Sequence, residues 1–251
     1  MITYQHVDAG YGRTMKIKDI CASFPDRKLS VIIGPIGSGK STLIKAMMGI
    51  SRIGNGKIIL NGKELFHLSE KERAQKIAYL PQNRNTPSIT AYRMVLHGRF
   101  PYLSYPRHYS EEDQRLSMEA MDCMGIRELA QEPVAHLSGG ERQKVYLAMA
   151  LAGQAEHLVL DEPSSFLDVR YQHGLMEELQ TLAKAGKAVI AVLHDLNTAF
   201  RYADQIFVMD GGQIVKAGTA KEIYESNIAE QIFGVKVKKL TDENGAEYYV
   251  Y

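Results

Sequence analysis

The residues that most clearly predict chemistry are Gly34-Pro35-Ile36-Gly37-Ser38-Gly39-Lys40-Ser41. They match the pattern G-x-x-x-x-G-K-[ST] without substitution. Its glycines allow a tight turn in which successive backbone N–H groups point inward and surround phosphate oxygens. We expect Lys40 to reach the β- and γ-phosphates and the Ser41 hydroxyl to ligate Mg²⁺. The stretch therefore predicts a site for the phosphates of a nucleotide.

The flanking residues predict the elements that such a loop needs. Leu29–Ile33 is a short apolar run rich in β-branched residues, which is typical of a buried strand. After the loop, Leu43, Met47 and Ile50 recur at helical spacing. The start of that helix adds partial positive charge beside the phosphates. Since strand, loop and helix follow in this order, a glycine-rich turn without a ligand is the weaker interpretation.

An acidic pair is predicted at the end of a second strand. The apolar run Leu158-Val159-Leu160 is followed by Asp161 and Glu162. Beside a phosphate loop, an acidic residue at a strand end is what Mg²⁺ binding needs, so we expect Asp161 to contact the ion directly or through another ligand. Glu162 would polarise a water that attacks the γ-phosphate. Taken alone, the pair could equally be an ordinary solvated strand end.

A second anion-binding helix start is predicted at Ser138-Gly139-Gly140. One nucleotide needs only one phosphate loop. The economical explanation is a head-to-tail dimer, in which these residues of one copy cover the nucleotide bound by the other. A serine N-cap followed by two flexible glycines would explain the same residues without a ligand.

Length and composition exclude several classes of protein. The chain has 251 residues, with 30 Lys and Arg against 29 Asp and Glu. Because these charges nearly cancel, the overall charge gives no reason to expect a nucleic-acid partner. Cys21 and Cys123 lack C-x-x-C spacing and indicate a reduced compartment and structural cysteines. Residues 1–7 are typical of a strand and not of a signal peptide. No apolar run approaches the roughly 18 residues of a membrane span, so we expect a soluble protein.

Local patterns predict the remaining elements. Hairpins are expected at Asn61-Gly62, Gly211-Gly212 and Asn244-Gly245. Helix N-caps are expected at Ser69, Thr90, Ser110 and Thr219, and helix ends near Gly125, Gly153 and Gly186. Strands are expected at residues 2–7, 14–20, 57–60, 77–80, 157–160, 188–193 and 206–209.

Alternating strands and helices argue for a mostly parallel sheet. We therefore predict one α/β domain over residues 1–251. Residues 1–83 and 153–251 would form a nucleotide-binding core that includes an N-terminal antiparallel β subdomain. Residues 84–152 would form an inserted helical subdomain.

Taken together, the motifs resemble those of ABC-transporter ATP-binding subunits, which have a P-loop NTPase fold, and the resemblance covers nearly the whole chain. In that family's terms residues 34–41 are the Walker A loop, Gln82 the Q-loop and 137–143 the signature. Residues 158–162 are the Walker B strand, 164–168 the D-loop and His194 the switch histidine. Tyr11 matches the aromatic residue that stacks on adenine.

The resemblance implies an ATPase with ATP and Mg²⁺ at one site. The residues implied to bind ATP are Tyr11, Gly34, Pro35, Ile36, Gly37, Ser38, Gly39, Lys40, Ser41 and Thr42, with Ser138, Gly139, Gly140 and Asp168 from the second copy. Ser41, Gln82 and Asp161 would hold Mg²⁺. Glu162, His194, Lys40 and Gln82 would carry out hydrolysis. Tyr11, Gln82 and His194 each have a structural alternative, as a turn tyrosine and two strand-end polar residues.

Two positions depart from the family pattern. Ile36 replaces a usual Asn, and we expect at most a modest effect on nucleotide affinity. Phe166 lies in Ser-Ser-Phe-Leu-Asp where Thr-Ser-Ala-Leu-Asp is usual. Asp168 is retained, so communication across the dimer is expected to persist.

The subfamily signal lies in two segments. Val95, Gly98, Arg99 and Pro101 resemble the V-x-x-G-R-x-P segment of importers for iron–siderophore, haem and cobalamin, and residues 193–204 resemble the same group. The resemblance implies a peripheral homodimer on the cytoplasmic side of the cell membrane. It would bind integral membrane permease subunits and work indirectly with a substrate-binding protein.

Three alternatives stay open: an importer of another substrate such as zinc or manganese, a soluble ABC ATPase, and a regulatory module that no longer hydrolyses ATP. The chain has neither the coiled-coil interruptions nor the second cassette of many soluble members. The intact Lys40, Asp161, Glu162 and His194 oppose the regulatory module.

Residues 83–109 are predicted to carry an exposed apolar docking patch for the membrane subunits. Its candidate members are Ile89, Tyr92, Met94, Val95, Leu96, Phe100, Tyr102, Leu103 and Tyr105. Some of these side chains must instead pack in the core of the helical insert.

Overall fold

The computed structural model describes residues 1–82, 86–165, 167–242 and 247–251. Strands β1–β12 span, in chain order, Ile2–Tyr11, Thr14–Phe24, Leu29–Ile33, Arg52–Leu60, Lys63–Glu64, Ile77–Leu80, His157–Asp161, Ala188–Val192, Gln205–Asp210, Gln213–Gly218, Lys238–Thr241 and Glu247–Val250. Helices α1–α9 span Lys40–Met47, Glu70–Lys76, Ala91–Leu96, Glu111–Cys123, Gly139–Ala152, Val169–Lys184, Leu196–Tyr202, Ala220–Glu225 and Ile228–Phe233.

A six-stranded sheet forms the centre of the fold, in the order β10-β9-β3-β8-β7-β6. All neighbouring pairs are parallel except β10 with β9. Strands β3, β7 and β8 are buried along their whole length, as expected for parallel strands covered on both faces. This confirms the predicted mostly parallel sheet.

Alternate residues of β3 contribute to two hydrophobic clusters, since successive strand side chains point to opposite faces. Leu29, Val31 and Ile33 pack with residues from helices α3 to α9. Ile32 packs with residues of α1 and of the N-terminal sheet. The central sheet therefore separates two cores.

The N-terminal sheet is antiparallel, in the order β2-β1-β4-β5. Asn61 and Gly62, between β4 and β5, have φ angles of 49° and 81°. Two successive positive φ angles are what a type I′ hairpin needs, so this predicted turn is confirmed. The predicted Asn244-Gly245 turn lies outside the described residues, although β11 and β12 on either side of it do pair antiparallel.

Helix boundaries follow the predicted caps closely. Ser69, Ser110 and Thr219 each form a capping box, and the Thr90 side chain accepts a hydrogen bond from the Arg93 N–H. Helix α1 is the exception, because it ends at Met47 and Ile50 lies beyond it with 58% of its surface exposed. The prediction that Ile50 continues this helix is therefore wrong.

Arg99 joins helices of the predicted insert. It lies in a short 3₁₀ helix, His97–Tyr102, and is buried. Its Nε donates to Asp113 of α4 at 2.8 Å, and its Nη1 donates to the Ala152 carbonyl at the end of α5 at 3.0 Å. Burial alone would raise the pKa of Asp113, but hydrogen bonds from Arg99 and Ser110 hold that pKa below its usual range. The guanidinium therefore ties three segments together.

The other residues of the V-x-x-G-R-x-P segment also have packing roles. Val95 is fully buried, and a Cβ on Gly98 would lie 2.0 Å from the Met149 carbonyl oxygen of α5. Close contact between the 3₁₀ helix and α5 therefore requires glycine here. Val95 and Gly98 therefore have packing roles within the predicted insert.

The predicted docking patch is smaller than expected. Tyr102 is half-buried, its hydroxyl donates to the Gly153 carbonyl at 2.8 Å, and its ring lies 3.8 Å from the Arg99 guanidinium. Tyr102 is therefore one of the candidate members that pack within the protein. Of the candidate members, Phe100 and Tyr105 are exposed, by 48% and 97%. Across the described residues, no helix combines the length and apolar composition that crossing a membrane demands.

Replacing Arg99 should destabilise the protein strongly. Arg99→Met leaves the Asp113 carboxylate buried without its cation, which typically costs about 3–5 kcal/mol. Urea unfolding of the purified chain measures this change. Arg115→Gln is the matched control, because Arg115 pairs with Glu112 and Glu119 on the exposed face of α4. Solvent screens such pairs, so this variant should lose far less stability. Equal losses in the two variants would contradict a structural role for the buried pair.

Candidate nucleotide-binding site

The loop between β3 and α1 has the form predicted for phosphate binding. Gly39 has a φ of 100° and is the N-cap of α1, with no side chain capping the helix. A Cβ on Gly39 would also lie 2.7 Å from Ile17 Cγ2. Since no side chain caps them, the first N–H groups of α1 remain available to phosphate oxygens.

Lys40 is held inside this loop. Only 6% of its surface is exposed, and its Nζ donates to the carbonyl oxygens of Gly34 at 2.7 Å and Pro35 at 3.0 Å. Burial lowers the pKa of Lys40, and the negative charges of Glu162 and Asp161 oppose that decrease. A partly desolvated ammonium beside an anion-binding loop suits a phosphate partner.

A cleft of about 490 Å³ lies beside the loop. Its lining brings together predicted residues from five parts of the chain: Tyr11, the loop residues Ile36, Gly37, Gly39, Lys40, Ser41 and Thr42, Gln82, Glu162 and His194. Lys16 also lines the cleft, although it is not among the residues predicted to bind nucleotide. In the hairpin formed by β1 and β2, Gly10 pairs with Met15. This pairing brings the next residue, Lys16, back towards Tyr11.

Asp161 is buried at the end of β7 and does not itself line the cleft. Its Oδ2 accepts a hydrogen bond from the Tyr79 hydroxyl at 3.4 Å, whereas its Oδ1 is buried without a partner in the described chain. Burial raises the pKa of Asp161, and the nearby charge of Glu162 adds to this effect. An unpaired buried carboxylate oxygen is costly unless a cation or donor meets it. The residue therefore fits the predicted Mg²⁺ site.

Glu162 is the point where the predicted hydrolytic residues meet. Its carboxylate accepts hydrogen bonds from Gln82 Nε2 and from Ser165 Oγ, and pairs with His194 Nε2. Its backbone has a φ of 50°, which is unfavourable for a residue with a Cβ. Strain of this kind, about 1–3 kcal/mol, persists where surrounding contacts fix the backbone, often at functional sites.

The predicted second anion site has a local structural role within one copy of the chain. Ser138 caps α5 in a capping box with Glu141, and Asp168 caps α6 by accepting from the Tyr171 N–H at 3.0 Å. Ser138, Gly139, Gly140 and Asp168 are not among the residues that line the cleft. Their contact with nucleotide would need a second copy and stays a prediction. Phe166 lies outside the described residues.

Comparison with known proteins supplies the family context. Residues 17–165 match the family model described as ABC transporter. The iron(3+)-hydroxamate import ATP-binding protein FhuC of Bacillus subtilis is 37% identical, covering 96% of this chain and 90% of that protein. The ferric enterobactin transport ATP-binding protein FepC of Escherichia coli is 36% identical, covering 95% and 89%.

A relative named for hemin import has a similar identity to this chain, and solved structures share its fold. The hemin import ATP-binding protein HmuV of Myxococcus xanthus is 38% identical, covering 91% of this chain and 87% of that protein. Among solved structures, an ABC transporter in an inward-facing conformation aligns with a TM-score of 0.86 at 23% identity, covering 99% of this chain and 96% of that chain. At that identity the structural likeness concerns the fold alone.

Lys40 should dominate nucleotide affinity within the loop. Lys40→Met removes the ammonium, and each charge-assisted hydrogen bond is worth roughly 1.5–3 kcal/mol, so affinity for ATP should fall at least about tenfold. Titration with a fluorescent ATP analogue measures the change. Ile36→Asn is the control on the same loop. Ile36 is 94% exposed, so its replacement should change affinity little, and a comparable loss there would contradict the assignment of Lys40.

Proposed function

Because the chain belongs to the ABC transporter family, as one of its ATP-hydrolysing ATP-binding domains, we propose that it powers import of an iron chelate, a siderophore or haem, through separate membrane subunits. The observation that carries the proposal is the convergence of Lys40, Gln82 and His194 with Glu162 at one cleft. The class of cargo is supported by the names of the relatives, which specify iron(3+)-hydroxamate import, ferric enterobactin transport and hemin import. Cobalamin, zinc and manganese are alternative cargoes.

In the proposed reaction Tyr11 stacks on adenine, and the loop N–H groups and Lys40 hold the phosphates. Ser41, Gln82 and Asp161 would hold Mg²⁺, and the ion would supply positive charge to the phosphates. Glu162 accepts a proton from the attacking water. Lys40 and His194 stabilise charge that develops on the γ-phosphate. Gln82 donates through its Nε2 to Glu162, and its amide oxygen is the atom that would hold Mg²⁺.

Glu162→Gln should separate binding from hydrolysis. The amide cannot accept the proton, so turnover should fall by roughly 10²–10⁴, the usual contribution of a general base. ATP affinity should be retained, because Lys40 and the loop are unchanged. Phosphate release under single-turnover conditions measures the rate. Glu177→Gln, on the exposed face of α6, should hydrolyse normally. Near-normal hydrolysis by Glu162→Gln would exclude the residue as the base.

ATP-dependent dimerisation follows from the arrangement of the two anion-binding ends. We propose that Ser138, Gly139, Gly140 and Asp168 of one copy complete the cleft of the other. The support is that one copy leaves these residues outside its own cleft, at the N-termini of α5 and α6, where the helix dipole favours an anion.

The Glu162→Gln protein should therefore be monomeric without nucleotide and dimeric with ATP and Mg²⁺, as measured by sedimentation. Adding Ser138→Arg should prevent the dimer by placing bulk at the interface. Ser110→Arg is the matched control, because Ser110 forms the same type of capping box on α4. If Ser110→Arg blocks the dimer equally, loss of a helix cap and not the interface is responsible.

The proposed docking surface for membrane subunits is centred on Phe100 and Tyr105, and it would hold the protein peripherally on the cytoplasmic side. Phe100→Glu and Tyr105→Glu should abolish co-purification with the membrane subunits and transport, while basal ATPase activity persists. Phe66→Glu is a matched control, because Phe66 is 44% exposed and has Arg73 over its ring, as Phe100 has Arg107. Normal transport by the Phe100 and Tyr105 variants would place the surface elsewhere. Absence of any membrane partner would favour the soluble ATPase.

A further inference from the structure

A second group of metal-ligating side chains lies on the N-terminal sheet, away from the nucleotide cleft. His6 of β1 and Asp19 and Cys21 of β2 each offer a ligand atom, and these atoms lie within 4.8 Å of one another. His6 Nδ1 is 2.7 Å from Asp19 Oδ1 and 3.4 Å from Cys21 Sγ. In the part of the chain that the structure describes, no other three His, Cys, Asp or Glu side chains bring their ligand atoms this close together.

Irregular strand pairing creates the cluster. The register between β1 and β2 shifts on both sides of the pair Val7–Ile20, whose side chains are buried. His6 and Asp19, at these two irregularities, have φ angles of 51° and 50°. Bulges re-aim side chains and are common beside functional sites. Here they direct an imidazole and a carboxylate to the exposed face that also carries Cys21.

The neighbouring strand accommodates this distortion. The register between β1 and β4 also shifts after Gln5, and Gly56 of β4 lies against the bulge. A Cβ on Gly56 would lie 2.2 Å from the His6 carbonyl oxygen. The Asp19 N–H donates to Asp8 Oδ1 at 2.8 Å, which fixes the backbone that carries the carboxylate. Three strands therefore support the position of these ligands.

We propose that His6, Asp19 and Cys21 bind a divalent first-row transition metal ion, for which Zn²⁺ is the best match. Thiolate, imidazole and carboxylate are the ligands that Zn²⁺ takes in proteins. A tetrahedral ion roughly 2.0–2.3 Å from each ligand separates ligand atoms by about 3.3–3.6 Å, so the side chains need only small movements. The fourth position is open to water. Binding releases the thiol proton to solvent.

The site is independent of the proposed transport function, and its chemistry differs from that of the nucleotide cleft. The residues that would hold Mg²⁺ there offer oxygen ligands, whereas Cys21 offers sulfur. Sulfur favours Zn²⁺ over Mg²⁺. The second exposed cysteine, Cys123 at the end of α4, gives an internal control for any effect of metal on thiols.

The test uses the full chain under reducing conditions, stripped of metal and without nucleotide. Added Co²⁺ should produce a thiolate-to-metal charge-transfer band that Zn²⁺ displaces. Cys21→Ser should remove the band, and His6→Gln should weaken Co²⁺ affinity by at least about 10–100-fold, the cost of losing even a supporting contact of a ligand. Cys123→Ser should keep both the band and the affinity. No band in the parent protein, or the same band in Cys21→Ser, overturns the proposal.

A second measurement needs no substitution. Peptide-resolved alkylation of the parent protein should show that Zn²⁺ abolishes labelling of Cys21 and leaves labelling of Cys123 unchanged. Equal labelling of Cys21 with and without Zn²⁺ overturns the proposal even if the variants fail to fold.

Discussion

The common direction of the parallel strands is the constraint on which the cleft depends. Strands β3, β8 and β7 are in register, with Ile32 opposite Val192 and Val192 opposite Asp161. The chain segments that leave these strands therefore emerge at one edge of the sheet. The phosphate loop follows β3, Gln82 follows β6, Glu162 follows β7 and His194 follows β8. A ligand at the carboxyl edge of a parallel sheet is the general outcome of this geometry.

Burial at this edge sets the electrostatics of the site. Desolvation opposes the charged forms of both Lys40 and Asp161, lowering one pKa and raising the other. Each charge partly compensates the other, and a polyanionic nucleotide with its cation would supply the compensation that remains. The strained backbone of Glu162 belongs to the same arrangement, since the carboxylate reaches Gln82 and His194 from that conformation. A bound nucleotide and cation would therefore stabilise the charged forms of these two side chains.

Much of the fold and the cleft could be predicted because the signals are local. A capping box involves Ser110 and Asp113 only, and a hairpin at Asn61-Gly62 depends on two φ angles. The phosphate loop and the acidic strand end are equally short patterns. By contrast, Lys16 enters the cleft through strand pairing. Tyr102 is half-buried because its hydroxyl reaches Gly153, which is 51 residues away in sequence. Its ring also lies against the guanidinium of nearby Arg99, which contacts with α4 and α5 hold in place. Ile50 has the helical spacing expected after Leu43 and Met47, but α1 ends before it, and Gly49 has a φ of 71°, which is not helical. Strand order and burial of single side chains depend on tertiary packing, which periodicity does not encode.

Helix α5 gives the Arg99 contacts a mechanical meaning. The helix has 14 residues, so it is a rod of about 21 Å. Ser138 begins the rod, and Arg99 bonds to the Ala152 carbonyl at its far end. Phe100 directly follows Arg99 and is therefore held close to the C-terminal end of α5. If one end of the rod is pulled by a phosphate and the other carries an exposed aromatic ring, a tilt of a few degrees becomes a displacement of an ångström or more. The contact between the buried guanidinium and the end of α5 would thus let a change at the nucleotide move an exposed side chain at a distance.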